Sequence, residues 1–267
     1  MSLIEKIKRK KEFSSLPDSI VERAAKISGG EVKESRALLR KYFGVFLTNR
    51  VLKAKGSADE ILKAHISSKK RDYEKFYGEI FLDAGKIGSI IDLGAGVNGF
   101  SYSYLQKELG SVNYLAIEAA GQLVKNMNNY FQDCGFEKAH ALGGDLFNVS
   151  EILKILKKVG SGRASHAFLE RTLGKKQKKL RIIFMFQIVD ALENLEKDFS
   201  KKFILKISKE CEKIVLSLPT ESLSGRKNFV VQRKWMMDFL EDNFVIEKDF
   251  KMNGERIIII RKKKEKI

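Results

Sequence analysis

Apolar residues recur at helical spacing through the first 80 positions. Ile20, Val21, Ala24, Ala25 and Ile27 follow Pro17-Asp18, and Gly29-Gly30 stops the run. Val32, Ala37, Leu38, Leu39 and Phe43 predict a second helix from Glu31 to Phe43. Ser57 is placed to cap a third, through Ile61, Leu62 and His65, and a fourth is predicted from about Ser68 to Leu82. No period-two alternation precedes Lys86, so residues 1–82 are expected to form a helical N-terminal domain.

From Lys86 the pattern changes to short β-branched runs: Gly88–Leu93, Val112–Ile117, Lys138–Leu142, Arg181–Phe186, Lys213–Leu218, Phe244–Phe250 and Arg256–Ile260. Helical patterns fill the gaps, as in Ser101–Leu109, Ala119–Cys134, Phe199–Glu210 and Val230–Asp242. This alternation predicts an α/β domain over 83–267, a mostly parallel, Rossmann-like sheet with helices on both faces. The last two runs flank Asn253-Gly254, the dipeptide of a tight hairpin turn. A parallel sheet finishing in an antiparallel hairpin resembles the class I S-adenosylmethionine methyltransferases. Nicotinamide-binding domains usually continue in parallel.

Composition narrows the partner. The chain has 267 residues, 43% of them hydrophobic, enough to bury a core, so wholesale disorder is excluded. Two distant cysteines, Cys134 and Cys211, make no disulfide framework and suggest a reducing compartment. No apolar run approaches the length of a membrane span, and Met1–Phe13 lacks a signal peptide's apolar stretch. The expectation is a soluble, cytoplasmic protein with no membrane partner. Lys+Arg 51 against Asp+Glu 34 leaves a formal net charge of +17. It divides as +8 in 1–80, −4 in 81–153, +9 in 154–181, zero in 182–260 and +4 in 261–267. Segregated basic segments point to a polyanion, most often nucleic acid, with solvated lysine-rich helices as the alternative. Lys8, Arg9, Lys10, Lys11, Lys69, Lys70, Lys175, Lys176, Lys178 and Lys179 are the expected RNA contacts.

The candidate chemistry lies at predicted strand ends. Ile90-Ile91-Asp92-Leu93-Gly94-Ala95-Gly96-Val97-Asn98-Gly99 closes an apolar run and opens a helix. Its glycines allow a sharp turn and a close approach to the main chain; as a string it also matches the dinucleotide fingerprint, or a turn with no ligand. Asp92 favours the methyltransferase version, where a carboxylate helps hold the cofactor's amino-acid end. Glu118 ends the next run and can accept from both hydroxyls of a ribose, or sit as an acid at a helix N-terminus. Asp145, after Gly143-Gly144, is placed to accept from an adenine amino group or to cap a turn. Gln187, with Asp190 following, could face a base or the sulfonium, or serve the loop. His65, His140 and His166 have no metal-ligand spacing with the cysteines, and no serine elbow or Walker loop occurs. No metal is expected.

Several segments together resemble the 16S ribosomal RNA (guanine-N7) methyltransferases of aminoglycoside resistance, the Arm/Rmt type. They are Asp18–Arg23, His65–Arg71 running into Phe76-Tyr77, Ile91–Asn98, Ala116–Glu118 and Ser217–Gly225. The resemblance covers nearly the whole chain and implies a methyltransferase fold behind a helical rRNA-binding domain. It implies S-adenosyl-L-methionine as cofactor, with Arg71 on its carboxylate, Asp92, Gly94, Ala95 and Gly96 as the binding loop and Glu118 on its ribose; Asp145 and Gln187 complete the expected set. It also implies a decoding-site guanosine of 16S rRNA, in the small ribosomal subunit, as substrate, and possible aminoglycoside resistance. A monomer is expected. Guanine N7 carries a lone pair and no proton, so attack on a sulfonium methyl needs positioning and no general base; Gln187 is the one catalytic candidate. Extrusion of the base would engage Tyr102, Tyr104 or Trp235, unless these are packing residues.

The chain departs from that family at three places. Asn98 is followed by Gly99 where the family has Asn-Pro, Gln187 and Asp190 stand near a usual Lys and Pro, and the basic segment 154–181 is longer. The alternatives are methylation of another RNA site, such as an adenosine ring nitrogen, or a non-catalytic RNA-binding assembly factor.

Overall fold

The computed structural model describes residues 1–44, 57–65, 68–161, 180–220 and 233–263. Helices α1 (Leu3–Lys8), α2 (Asp18–Ile27), α3 (Val32–Leu39), α4 (Ala58–Ala64) and α5 (Tyr73–Phe81) precede the sheet. Then follow β1 (Ile87–Leu93), α6 (Tyr102–Leu109), β2 (Asn113–Glu118), α7 (Gly121–Asp133), β3 (Ala139–Gly143), α8 (Val149–Ser161) and β4 (Leu180–Phe186). The chain continues through α9 (Val189–Leu195), α10 (Phe199–Ile207), β5 (Lys213–Pro219), α11 (Lys234–Asn243), β6 (Phe244–Met252) and β7 (Glu255–Lys262).

The seven strands form one sheet in the order β3-β2-β1-β4-β5-β7-β6. The first five run parallel; β7 is antiparallel to both β5 and β6, and Asn253-Gly254 makes the β6–β7 turn with φ of 54° and 80°. This is the class I S-adenosylmethionine methyltransferase fold. Successive strand residues face opposite layers, so Ile90, Tyr114 and Phe184 join one apolar cluster while Ile91, Leu115 and Ile183 join the other. Because both faces are covered there, β1, β2, β4 and β5 read as near-continuous apolar runs. The first cluster continues unbroken from the sheet through α5, α6 and α7 into Ile7, Phe13, Leu16, Ile20 and Leu39 of the N-terminal helices. The second is closed by α8, α9, α10 and α11. Among the described residues no helix is long and apolar enough to cross a membrane.

Three departures from the expected elements have local causes. The helix expected from Ser68 starts at Tyr73: Asp72 caps it, accepting from Lys75 N at 3.3 Å, and Ser68 Oγ donates to Leu62 O at 2.6 Å, folding 68–71 into a turn. The second helix passes at Arg40 into a π-helical turn, Arg40–Gly44. A first helix, Leu3–Lys8, is set by a capping box between Ser2 and Glu5, a Ser-x-x-Glu signature that the apolar pattern alone does not reveal. Of the basic segment 154–181, residues 154–161 end α8 and 180–181 begin β4; Lys175, Lys176, Lys178 and Lys179 lie outside the described residues.

Candidate functional site at the carboxyl edge of the sheet

A parallel sheet collects the residues that follow each strand at one edge. The order β3-β2-β1-β4 therefore brings Asp145, Glu118, the Asp92–Gly96 segment and Gln187 to neighbouring positions along that edge. The loop after β1 is tied to β2 by Gly94 N and Ala95 N, which donate to Ile117 O at 2.8 and 3.2 Å. Gly94 (φ 68°) and Gly96 (φ 54°) lie in the left-handed region, and a Cβ on Gly94 would come within 2.9 Å of the Ile188 side chain. Gly99 has a different reason: a Cβ there would overlap Met127 Sδ on α7, so the third glycine of the fingerprint serves packing.

Asp92 is fully buried. Its Oδ2 accepts from Tyr114 Oη and Asn98 Nδ2, each at 2.7 Å, whereas its Oδ1 is buried and accepts no hydrogen bond from any described residue. Burial raises its pKa to about 6, against the stabilising bonds from Tyr114 and Asn98. Such an oxygen is costly unless a donor completes it.

Glu118, also buried, accepts from Gly96 N with Oε2 and from Ala120 N with Oε1, both at 2.9 Å. Burial pushes its pKa up, and these backbone donors pull it back. A carboxylate has about four lone-pair sites, so Glu118 braces the loop and keeps acceptor capacity for a diol. Asp145 Oδ1 accepts from Phe147 N at 2.9 Å, and its other oxygen accepts from Ser19 Oγ of α2. It lines a cleft of about 710 Å³ between Lys8, Ser19 and Arg23 of the N-terminal helices and Ala119 and Phe147 at the strand ends. Gln187 takes φ 55°, held there because its N–H donates to both Ser217 O (3.0 Å) and Ser217 Oγ (3.1 Å) on β5. Asp190 pairs with Arg233, which also donates to Pro219 O at 2.8 Å.

Arg71 reaches the same edge from the turn before α5. It is no helix-surface residue: its side chain is 4% exposed and pairs with Glu255, which is 2% exposed. Its Nη1 donates to Asn98 Oδ1 at 3.2 Å, and its guanidinium lies over the rings of Phe76 (4.5 Å) and Phe186 (5.1 Å). Burial works against its charge, but Glu255, Tyr73 and Tyr77 together raise its pKa. His65 is buried as well, and burial, with Arg71 close by, lowers its pKa to about 3.

Arg71, Asn98 and Asp92 thus form one continuous network that ends on the Asp92 oxygen without a donor. Asn98, Tyr114 and Glu255 were not among the expected site residues. Glu255 had one visible signal, a carboxylate next to Arg256 just before a run of four isoleucines. Of the expected RNA contacts, Arg9, Lys10, Lys11, Lys69 and Lys70 are exposed, whereas Lys8 pairs with Asp18 at 2.6 Å and faces the cleft. Tyr102 is a core residue, its hydroxyl donating to Val112 O at 2.7 Å, which removes it as a partner for an extruded base. Tyr104 stacks on Tyr73 and donates to Asp59. Trp235 is 37% exposed beside Lys201.

No family model and no curated protein matches this sequence. Among solved structures, an rRNA methylase from Escherichia coli superposes with a TM-score of 0.70 at 16% identity, over 98% of both chains. The 16S rRNA methyltransferase RmtF, in complex with S-adenosyl-L-homocysteine, gives 0.70 at 16% identity, over 98% of this chain and 97% of its own. The 16S rRNA methylase ArmA gives 0.52 at 17% identity, over 80% of this chain and 97% of its own. The shared property is the fold, and with the first two it extends through the N-terminal helices.

Proposed function

We propose that the chain is an S-adenosyl-L-methionine-dependent rRNA methyltransferase of the Arm/Rmt type, acting on guanine N7 in 16S rRNA of the small ribosomal subunit. The observation that carries the reading is the buried Asp92 with its unbonded Oδ1, in a network that also holds Arg71. An amino acid's ammonium group completes such an oxygen, and its carboxylate suits the guanidinium beside it. Glu118, at the end of β2, has the acceptor capacity for a ribose diol, and Asp145, at the cleft beyond, for an adenine amino group.

The cofactor supplies an electrophilic methyl group on a sulfonium. The chain's own residues bind and orient: Asp92 and Arg71 fix the amino-acid end, Glu118 the ribose and the Gly94–Gly96 turn gives backbone access. Guanine N7 has a lone pair and no proton, so its methylation would ask this chain for positioning and for no general base. Raised carboxylate pKa values at this edge follow from burial and support the reading of a binding site. Gln187, held in a strained conformation at the end of β4, is the residue we place nearest the base. The exposed cations Arg9, Lys10, Lys11, Lys69 and Lys70 would grip phosphates of folded RNA.

The test is transfer of labelled methyl from the cofactor to purified small subunits, naked 16S rRNA and large subunits. Label on small-subunit RNA alone is expected. Label on large subunits alone contradicts the substrate, and cofactor binding without transfer to any RNA contradicts the enzyme.

A further inference from the structure

The β6–β7 turn reaches back to the segment that precedes α5. Glu255 opens β7 and is 2% exposed, in a strand whose next buried positions, Ile257–Ile260, are all apolar. A buried carboxylate needs a charged partner with good geometry. Glu255 has it in Arg71: Nε donates to Oε1 at 2.9 Å, and Nη2 donates to Oε1 at 2.7 Å and Oε2 at 2.8 Å. That commits the Nε–Nη2 edge of a planar group whose five N–H donors are fixed relative to one another. Phe76 and Phe186, within 4.5 and 5.1 Å of the guanidinium, further restrict it. The edge left toward the Asp92 network is Nη1, which donates to Asn98.

The turn itself is braced. Thr220 N donates to Gly254 O at 2.9 Å. The Asn253 amide, oriented to satisfy both of its ends, donates to Lys70 O and accepts from Asp72 N, each at 3.2 Å. The residues on either side of Arg71 are therefore held by the same turn that supplies Glu255.

We propose that Glu255 is a positioning residue for the cofactor's amino-acid end, acting through Arg71. It fixes which guanidinium edge faces Asn98 and Asp92. It also neutralises Arg71, so the net charge left at that end is the Asp92 carboxylate. A zwitterionic amino acid is then oriented one way round, its carboxylate to Nη1 and its ammonium to Asp92. The inference rests on the cofactor reading above.

The test is calorimetric titration of the full chain with two ligands. S-adenosyl-L-homocysteine carries the amino-acid end; 5′-methylthioadenosine keeps the adenosine and sulfur but lacks it. Glu255→Gln preserves size and removes the charge. It should weaken the first ligand about tenfold, the scale of losing an outer partner of a binding group, and leave the second unchanged. Equal weakening of both means that Glu255 only supports the fold, and overturns the proposal. Tighter binding of S-adenosyl-L-homocysteine makes Glu255 a competitor of the ligand's carboxylate, and overturns it too. Should a thermal melt show that Glu255→Gln does not fold, Glu255→Asp, which keeps the charge on a shorter stem, is read by the same two ligands: selective loss of the first supports the proposal, and equal loss overturns it. Wild-type protein that binds neither ligand overturns the cofactor reading itself, a result distinct from any of these.

Discussion

Asn98 donates its side-chain N–H to Asp92 Oδ2 at 2.7 Å while its own Oδ1 accepts from Arg71. One buried amide thus joins the carboxylate at the end of β1 to a guanidinium from the N-terminal helices. Asn98→Asp would set a second carboxylate against Asp92. We expect a loss of about 1–3 kcal/mol of stability, from a buried bond turned repulsive, together with weaker cofactor binding. Thermal melts and calorimetry on the variant check both.

The raised pKa of Asp92 gives a signed pH dependence. Burial takes it from 3.8 to about 6, so between these values the folded protein binds a proton that the unfolded chain releases. This group's contribution to stability is therefore greatest below about pH 4 and falls by roughly 3 kcal/mol as pH rises through 6. Cofactor affinity runs the other way, because the charged carboxylate holds an ammonium group more strongly than the protonated acid does. Binding of S-adenosyl-L-homocysteine should strengthen as pH rises through 6, and Asp92→Asn should bind weakly with that slope removed. A wild-type affinity that is flat across this range contradicts the role of Asp92.

Gly94 and Gly99 should respond differently to substitution. Gly94→Ala places a Cβ on a left-handed residue against Ile188, and should cost about 1–3 kcal/mol of stability and weaken cofactor binding. Gly99→Ala collides chiefly with the end of a flexible methionine, so a second change, Met127→Ala, should recover part of what Gly99→Ala loses. Denaturant melts of the two single variants and the double variant measure that coupling. Strict additivity would contradict the packing role of Gly99.

Much of this edge was legible in the sequence because it is local. The strand runs, the glycine turn and Glu118 each follow from a few consecutive residues, and the hairpin that completes the sheet follows from Asn253-Gly254. Arg71 could not be placed that way. Its partner Glu255 is 184 residues distant, and only the strand order brings them together. The start of α5 departs from the periodic pattern for a related reason. Apolar spacing extends back to Ser68, but Asp72 caps the helix and the preceding turn directs Arg71 inward. Tyr102 and Trp235 look alike as aromatic residues in sequence, and burial separates them.

The basic residues of the N-terminal helices should also separate. Lys69 and Lys70 are exposed, whereas Lys8 is 25% exposed and already paired with Asp18. Replacing Lys69 and Lys70 with alanine should weaken RNA binding and reduce its dependence on log salt by about one unit for each phosphate no longer neutralised. Lys8→Ala should do less. Cofactor affinity should stay constant in Lys69→Ala and Lys70→Ala, which calorimetry checks alongside salt-dependent filter binding.

The most direct measurement of the whole account is to map the methyl group. Small subunits are incubated with the protein and S-adenosyl-L-methionine, and their 16S rRNA is then cleaved at base-labile positions and read by primer extension. One new scission is expected at a decoding-site guanosine, present with wild-type protein and absent with Asp92→Asn. Methyl transfer without base-labile scission, or modification of an adenosine instead, would contradict it.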